Sequence, residues 1–414
     1  MLLAVITAFC TCLFSCTNGE VEPIVIWTDR PEFASYSELF NATHEAQTVV
    51  VYKENASRSI PPAKDETPPD LVIASWLKSS STKKKFAPIE NLFGERKINR
   101  DDLYENLVSY GSYSGTQYLL PVSFNLPAII FEKKNSELVQ NPHTITIDEI
   151  QTAAQNFNSK DTDGEYTTMG YAPSWDGEFM YLVSKIKGAH YRENDGSTFT
   201  FNADAVSDTV TYLSDWSSKA NYGTAQEKNF KFKYLYMPKY SQFDTGRSLF
   251  TYMTSREFFS QENYTTNLSL CWISDGTSIP AEDDIVCLGK YKKARHPHTA
   301  EIFIEWLFSP ETQSALLERT NTMKLDTHEF GIAGGFSSLK EVNSRLFPSY
   351  YRELLGNLPD ENNITLPDVL PSRWLMFKDR VIIPYFEDAS DTTVKEEKKK
   401  TLSDRLNDWT RQAF

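Results

Sequence analysis

The sequence predicts an α/β protein built as two lobes, and three observations carry that prediction. The chain has 414 residues, more than one hydrophobic core usually holds. Short apolar runs of strand length alternate with helical stretches, the order that produces parallel βαβ units. One long extended segment, 118–131, carries Pro121 and Pro127, which bar a continuous central ladder. Such a segment reads as a strand that leaves one sheet and enters another.

The N-terminus sets the expected compartment. Residues 1–15 are almost unbroken apolar or small, and no charged residue precedes Glu20. The run falls short of the roughly 20 apolar residues that span a bilayer, and has the length of a secretory signal. Leu13-Phe14-Ser15-Cys16 resembles a bacterial lipobox, in which a small residue precedes a cysteine that is acylated. The expectation is a signal peptide over 1–15, lipidation at Cys16, and a linker over 16–22. No later stretch reaches membrane length, so the remainder is expected outside the cytoplasm, tethered to a membrane by lipid alone. In a diderm bacterium this is the periplasm.

A formal charge of −14 argues against a nucleic-acid partner, whose phosphates are answered by Lys and Arg. Beyond the leader only Cys271 and Cys287 remain. They admit either a disulfide, contributing about 3 kcal/mol if unstrained, or two buried thiols.

Along the chain, Pro23–Trp27 reads as a buried strand feeding a helix over Glu32–Phe40. Thr48–Tyr52 and Asp70–Trp76 have the same strand character. Between the last two lies a segment with Pro61-Pro62 and Pro68-Pro69, which forbids most of a crossover helix and leaves an extended loop. Lys83–Lys85 is a solvated turn. After the extended segment, Thr146 with Glu149 three residues on has capping-box spacing and opens a helix to Phe157. Further helices are expected at Met180–Lys187, Asn202–Ala220, Thr299–Glu318 and Thr401–Phe414. Ile302, Phe303, Trp306 and Leu307 mark one buried face.

The order of these pieces resembles the family 1 extracellular solute-binding proteins, the group that includes the maltodextrin-binding proteins. The resemblance rests on Ile24–Trp27, Pro69–Ala74, Leu120–Asn125, Phe243–Phe250 and Ala300–Gln313, taken in that order over most of the chain. It implies a two-lobed periplasmic-binding-protein-like α/β fold whose lobes are joined by crossing strands, with ligand held in the cleft and released as the hinge opens. Crossings are expected near Val122–Leu126, Ile279–Leu288 and Ile332–Phe336. The N-terminal lobe would then hold 23–123 with about 289–333, and the C-terminal lobe 124–288 with about 334–414. The function implied is capture of a small polar ligand, most simply a sugar or oligosaccharide, by a monomer that delivers it to the permease of an ABC importer.

Sugar recognition needs flat aromatic faces and planar polar groups, placed on loops after strand C-termini. Trp27 with Asp29 and Arg30, then Trp76, and then Trp175 with Asp176 meet that rule, although each tryptophan could equally be a packing residue. Asn125 lies in the presumed hinge. Asp244, Arg247 and Trp272 come from the region that, by resemblance, lines the second lobe. Trp216, Trp306, Trp374 and Trp409 read as structural.

No nucleophile motif, phosphate loop or metal-ligand pattern occurs, and His296-Pro297-His298 lacks a third ligand. No catalytic residue, cofactor or metal is therefore expected. A lipid-anchored hydrolase using carboxylates such as Asp161, Asp163 and Glu165 is the enzyme alternative. A surface adhesin without a transport role is the third reading.

Overall fold

The structure, a computed structural model, describes residues 22–94, 97–194, 198–243, 245–261, 267–323 and 329–413. The expectations at the leader, Cys16 and Asp244 lie outside the described residues.

The apolar runs form the strands expected of them. Fully buried β1 (Ile24–Thr28) pairs in parallel with β2 (Thr48–Tyr52) and with fully buried β3 (Leu71–Ser75). The helix Phe33–Thr43 crosses from β1 to β2. Between β2 and β3 there is no α-helix, only a short 3-10 turn at Ala56–Arg58 followed by the proline-rich loop.

The segment with two prolines divides as its chemistry requires. β4 (Leu119–Phe124) lies in the first sheet, and β5 (Pro127–Glu132), two residues later, lies in the second. The other strands of the two larger sheets are β6 (Thr144–Thr146), β7 (Thr251–Thr254), β8 (Leu268–Ser274), β9 (Val286–Lys290) and β10 (Phe336–Ser337). The first sheet runs β10-β4-β9-β3-β1-β2, and the second β7-β5-β8-β6.

Alternate residues of β5 serve different cores, as the two-residue period of a strand demands. Ala128 and Ile130 join a core that continues from the first sheet through Trp272 and Phe336. Ile129 and Phe131 face a second core, built with the helices Gly177–Ile186 and Ala203–Asn221 and with Trp374 and Phe377.

Three expectations need correction. The helix expected over Thr299–Glu318 is two, Pro297–Leu307 and Pro310–Met323, because Pro310 starts a new first turn. Within its expected buried stripe Ile302 is exposed, while Trp306 is partly buried against Phe40. The third crossing is also misplaced. Gly331 (φ +60°) and Gly334 (φ +72°) make a tight turn against β4, where a Cβ on Gly335 would lie 2.6 Å from the Phe124 carbonyl oxygen. β10 then pairs with β4, so 336–337 belongs to the first sheet, as does all of β9. The expected lobe boundaries at 288/289 and 333/334 put these strands wholly or partly in the other lobe. The chain instead returns toward the second core beyond Leu354, through Ile364–Thr365, which pairs with Ile279–Pro280.

Cys271 and Cys287 are separate buried thiols, one in each sheet, and burial pushes both up to about 12.

Candidate functional site

A cleft of about 440 Å³ opens between the two sheets. From the first lobe it is reached by residues that follow strand ends. Asp29 and Arg30 come just after β1, Ser75 and Trp76 close β3, and Asn125 follows β4. This is where open α/β sheets gather ligand groups. Trp76 turns the chain with φ +64°, a left-handed conformation that a bulky residue adopts only where its surroundings hold it.

The connection from β2 to β3 adds Glu54, Asn55, Ser57 and Arg58, just ahead of its proline-rich stretch. With no crossover helix to carry them over the sheet, these residues fall at the mouth of the cleft. The second lobe supplies Glu178, Tyr252, Arg256 and Glu257, and the crossing segment supplies Glu282, Asp283 and Asp284. Leu375, Met376 and Lys378 enter from the C-terminal segment.

Charge organises the floor. Arg30 is buried, donates to the Ser75 hydroxyl at 2.5 Å, and lies 3.3 Å from Asp29 and 3.7 Å from Asp284. Burial raises Asp29 above the usual carboxylate range against the pull of Arg30. Asp283 is the reverse case. Although burial opposes it, Lys185 at 2.8 Å and Lys378 nearby hold its carboxyl below the ordinary range, and Tyr181 Oη and Trp374 Nε1 donate to it. The Tyr252 hydroxyl donates to its neighbour Glu282 at 3.1 Å, and burial pushes Glu282 up to about 7. Glu178 is raised by burial despite Lys378 at 2.9 Å.

Asn125 both faces the cleft and ties the crossing. Its Nδ2 donates to the Gly334 carbonyl at 2.9 Å, its Oδ1 accepts from Ser255 Oγ at 2.7 Å, and its carbonyl accepts from Glu282 N at 2.8 Å. Three parts of the fold meet at one amide.

The other residues expected at the site lie elsewhere. Trp27 is 1% exposed beneath the sheet and carries Lys53 over its ring at 4.6 Å. Trp175 stacks on Phe230 at 5.6 Å, donates Nε1 to the Glu227 carbonyl and does not line the cleft. A short 3-10 turn, Pro173–Trp175, rolls its ring inward. Asp176 caps the Gly177–Ile186 helix through the N–H groups of Glu178 and Phe179, and pairs with Lys239 at 2.6 Å. Arg247 donates to the Thr167 carbonyl and covers Tyr234. Trp272 is fully buried and borders a different pocket, of about 360 Å³, with His143 and Asn357.

Asp161, Asp163 and Glu165 are exposed around a hairpin turn, away from the cleft. Among the described residues no group of His, Cys, Asp and Glu could hold a metal ion, and no helix is long and apolar enough to cross a membrane.

No protein-family model matches the chain, and no curated protein matches it by sequence. Solved structures do match along nearly its whole length. An ABC substrate-binding protein of Listeria monocytogenes in complex with cycloalternan superposes with a TM-score of 0.61 at 13% identity, covering 94% of this chain and 98% of that one. A cyclic α-maltosyl-1,6-maltose binding protein of Arthrobacter globiformis gives 0.59 at 16%, covering 93% and 97%. A cyclo/maltodextrin-binding protein complexed with maltotetraose gives 0.60 at 17%, covering 94% and 96%. The chain has the two-lobed α/β fold of the periplasmic-binding-protein type, as the resemblance implied.

Proposed function

We propose that this chain is the solute-capturing component of an ABC importer, holding a sugar or oligosaccharide between its lobes, and that it is not an enzyme. The observation that carries the reading is the cleft itself. It lies between two sheets at strand C-termini, sets the half-buried Trp76 ring among planar carboxylate, amide and guanidinium groups, and has the crossing segments for its floor. Aromatic faces suit the C–H side of a sugar ring, and planar polar groups suit its hydroxyls. The structures that share the fold are sugar-binding proteins by their names, which supports the same class of ligand here. The lipobox-like Leu13–Cys16 motivates the further reading that the protein is held at a membrane outside the cytoplasm through Cys16.

A melting-temperature screen across sugars, polyols, polyamines and anions tests the binding reading, since a ligand that binds only the folded state raises apparent stability. A sugar that raises the melting temperature in proportion to the logarithm of its concentration is expected. A screen in which only non-sugars do so removes the carbohydrate reading. For the anchor, Cys16→Ser should release the protein from membranes or leave an unprocessed precursor. Unchanged mass and membrane fractionation would refute it.

A further inference from the structure

Away from the cleft, the first sheet ends in a cluster of lysines. β1 runs toward the cleft, so its start at Ile24 marks the opposite end of the sheet. β9 runs against β3, with Lys290 beside Leu71, and so finishes at that end too. Lys292, Lys293 and Arg295 follow it, and the Lys292 N–H donates to the Lys85 carbonyl at 2.9 Å, which brings Lys83, Lys84 and Lys85 alongside. Neither 83–85 nor 290–296 contains a carboxylate. The carboxylates that reach these cations from elsewhere are committed. Glu22 lies 3.6 Å from Arg295 and 3.3 Å from His296, and Glu301 pairs with buried Lys290. Buried Asp70 accepts from the backbone N–H groups of Val25, Arg295 and His296. Lys85 donates to the Ser57 carbonyl and is drawn by Glu193. Exposed Glu45 precedes β2, three strand spacings from β9 and so about 14 Å away across the sheet. Lys83 donates to Ser114 Oγ at 3.1 Å. Lys83, Lys84, Lys292 and Lys293 make no ion pair among the described residues, and the last three are exposed.

We infer that this end of the first lobe docks on an anionic phospholipid surface, so that a basic patch as well as lipid at Cys16 holds the protein at its membrane. The inference rests on the lipid-anchor reading of Cys16. Five residues separate Cys16 from Glu22, so even at full extension they keep Glu22 within about 20 Å of the anchored residue. Glu22 in turn reaches Arg295, so the tether ends at the edge of the lysine cluster. The chain's charge of −14, taken as a whole, would be repelled by an anionic surface. At physiological ionic strength, however, fields fade over about 8 Å, so the patch that faces the lipid decides the contact. Each lysine or arginine near such a surface is worth about fivefold in binding.

An orientation follows from the strand directions. The cleft takes Asp29, Arg30, Ser75 and Trp76 from the other ends of β1 and β3, about 15 Å away along the strands. Docking by the lysine end therefore leaves the cleft facing away from the lipid, free to open and to take ligand. The same lysines would suit an acidic protein surface, but a tether this short sets the membrane beside them ahead of any diffusing partner.

Vesicle sedimentation tests this with the full chain carrying Cys16→Ser, which removes the site of acylation. The vesicles are phosphatidylcholine alone, or phosphatidylcholine mixed with phosphatidylglycerol. A retained leader has no charged side chain and adds equally to both. Binding to the mixed vesicles should be stronger by at least about tenfold at low salt, and the difference should vanish at high salt. Lys83→Gln, Lys84→Gln, Lys292→Gln and Lys293→Gln together should remove the preference with the melting temperature unchanged. A control with Lys160→Gln, Lys187→Gln, Lys233→Gln and Lys398→Gln, all at exposed positions of the second lobe, alters net charge equally and should keep it. No preference for the mixed vesicles, or the same loss in both quadruple variants, overturns the inference. The anchor is judged separately, by mass and membrane fractionation of the acylatable chain, so a Cys16→Ser chain that is released from membranes but lacks the preference overturns this inference alone.

Discussion

Trp175 shows how a single residue is misread and what it then predicts. It sits in Pro173-Ser174-Trp175-Asp176-Gly177, where polar neighbours and a glycine suggest an exposed binding loop. The ring instead packs on Phe230 and against Tyr171, and Asp176 is spent on a helix N-terminus. Trp175→Ala should therefore cost on the order of 3 kcal/mol of stability while leaving ligand affinity unchanged. A melting curve and a titration on the same variant decide it, since lost affinity at an unchanged melting temperature would return the ring to the site. Glu282 carries a second prediction. Its folded-state carboxyl titrates near 7, above an ordinary 4.5, so the folded form holds the extra proton between those values. The stability this confers is complete below about 4.5 and is lost as pH rises through 7. For a half-buried group the loss by pH 8 is on the order of 1–3 kcal/mol. Melting temperatures from pH 5 to 8 should fall less for Glu282→Gln than for the parent, and parallel curves would contradict the assignment.

Elements were legible where the local signal and the fold agree. β1 to β3 are fully or partly buried apolar runs bounded by breakers, and Thr146 with Glu149 forms the capping box its spacing foretold. Pro121 and Pro127 announced the passage between sheets. A smaller part of the cleft was legible for the same reason, because Asp29, Arg30, Trp76 and Asn125 follow strand ends that the sequence marks. Glu178, Tyr252, Arg256 and Glu282–Asp284 were missed. They reach the cleft through pairings distant in sequence, such as β7 on β5, and no local pattern reports those pairings. The glycine turn at 331–335 misled in the opposite sense, since flexible residues signal a hinge and a tight turn alike. The crossing itself is held by Ser255, which is fully buried, donates to Asn125 Oδ1 and accepts from Leu126 N at 3.1 Å. Ser255→Ala leaves both groups without that partner and should cost about 1–3 kcal/mol, read as a lower midpoint in urea at an unchanged slope. A midpoint within error of the parent would show that the tie contributes nothing.

At the scale of the molecule, the two lobes are joined by few passages and share an apolar core behind the cleft, while Trp76 packs against the second core and the remaining contacts at the mouth are local. The chain crosses at Asn125–Leu126, between β8 and β9, and again beyond Leu354. Across the mouth, the Ser80 N–H donates to Glu193 at 2.7 Å, and Arg58 reaches Met376 Sδ at 3.7 Å. Exposed contacts of this kind contribute roughly 0–1 kcal/mol each, so they favour a closed mouth only weakly. A ligand that fills the cleft touches both lobes at once and shifts the population toward the closed form by its differential affinity for the two states. Small-angle scattering should therefore show a larger radius of gyration for the free protein than for the same protein with a saturating concentration of a sugar proven to bind. An identical profile in the two states, with binding verified calorimetrically in the same sample, would rule out closure as the means of capture and leave a rigid, preformed cleft.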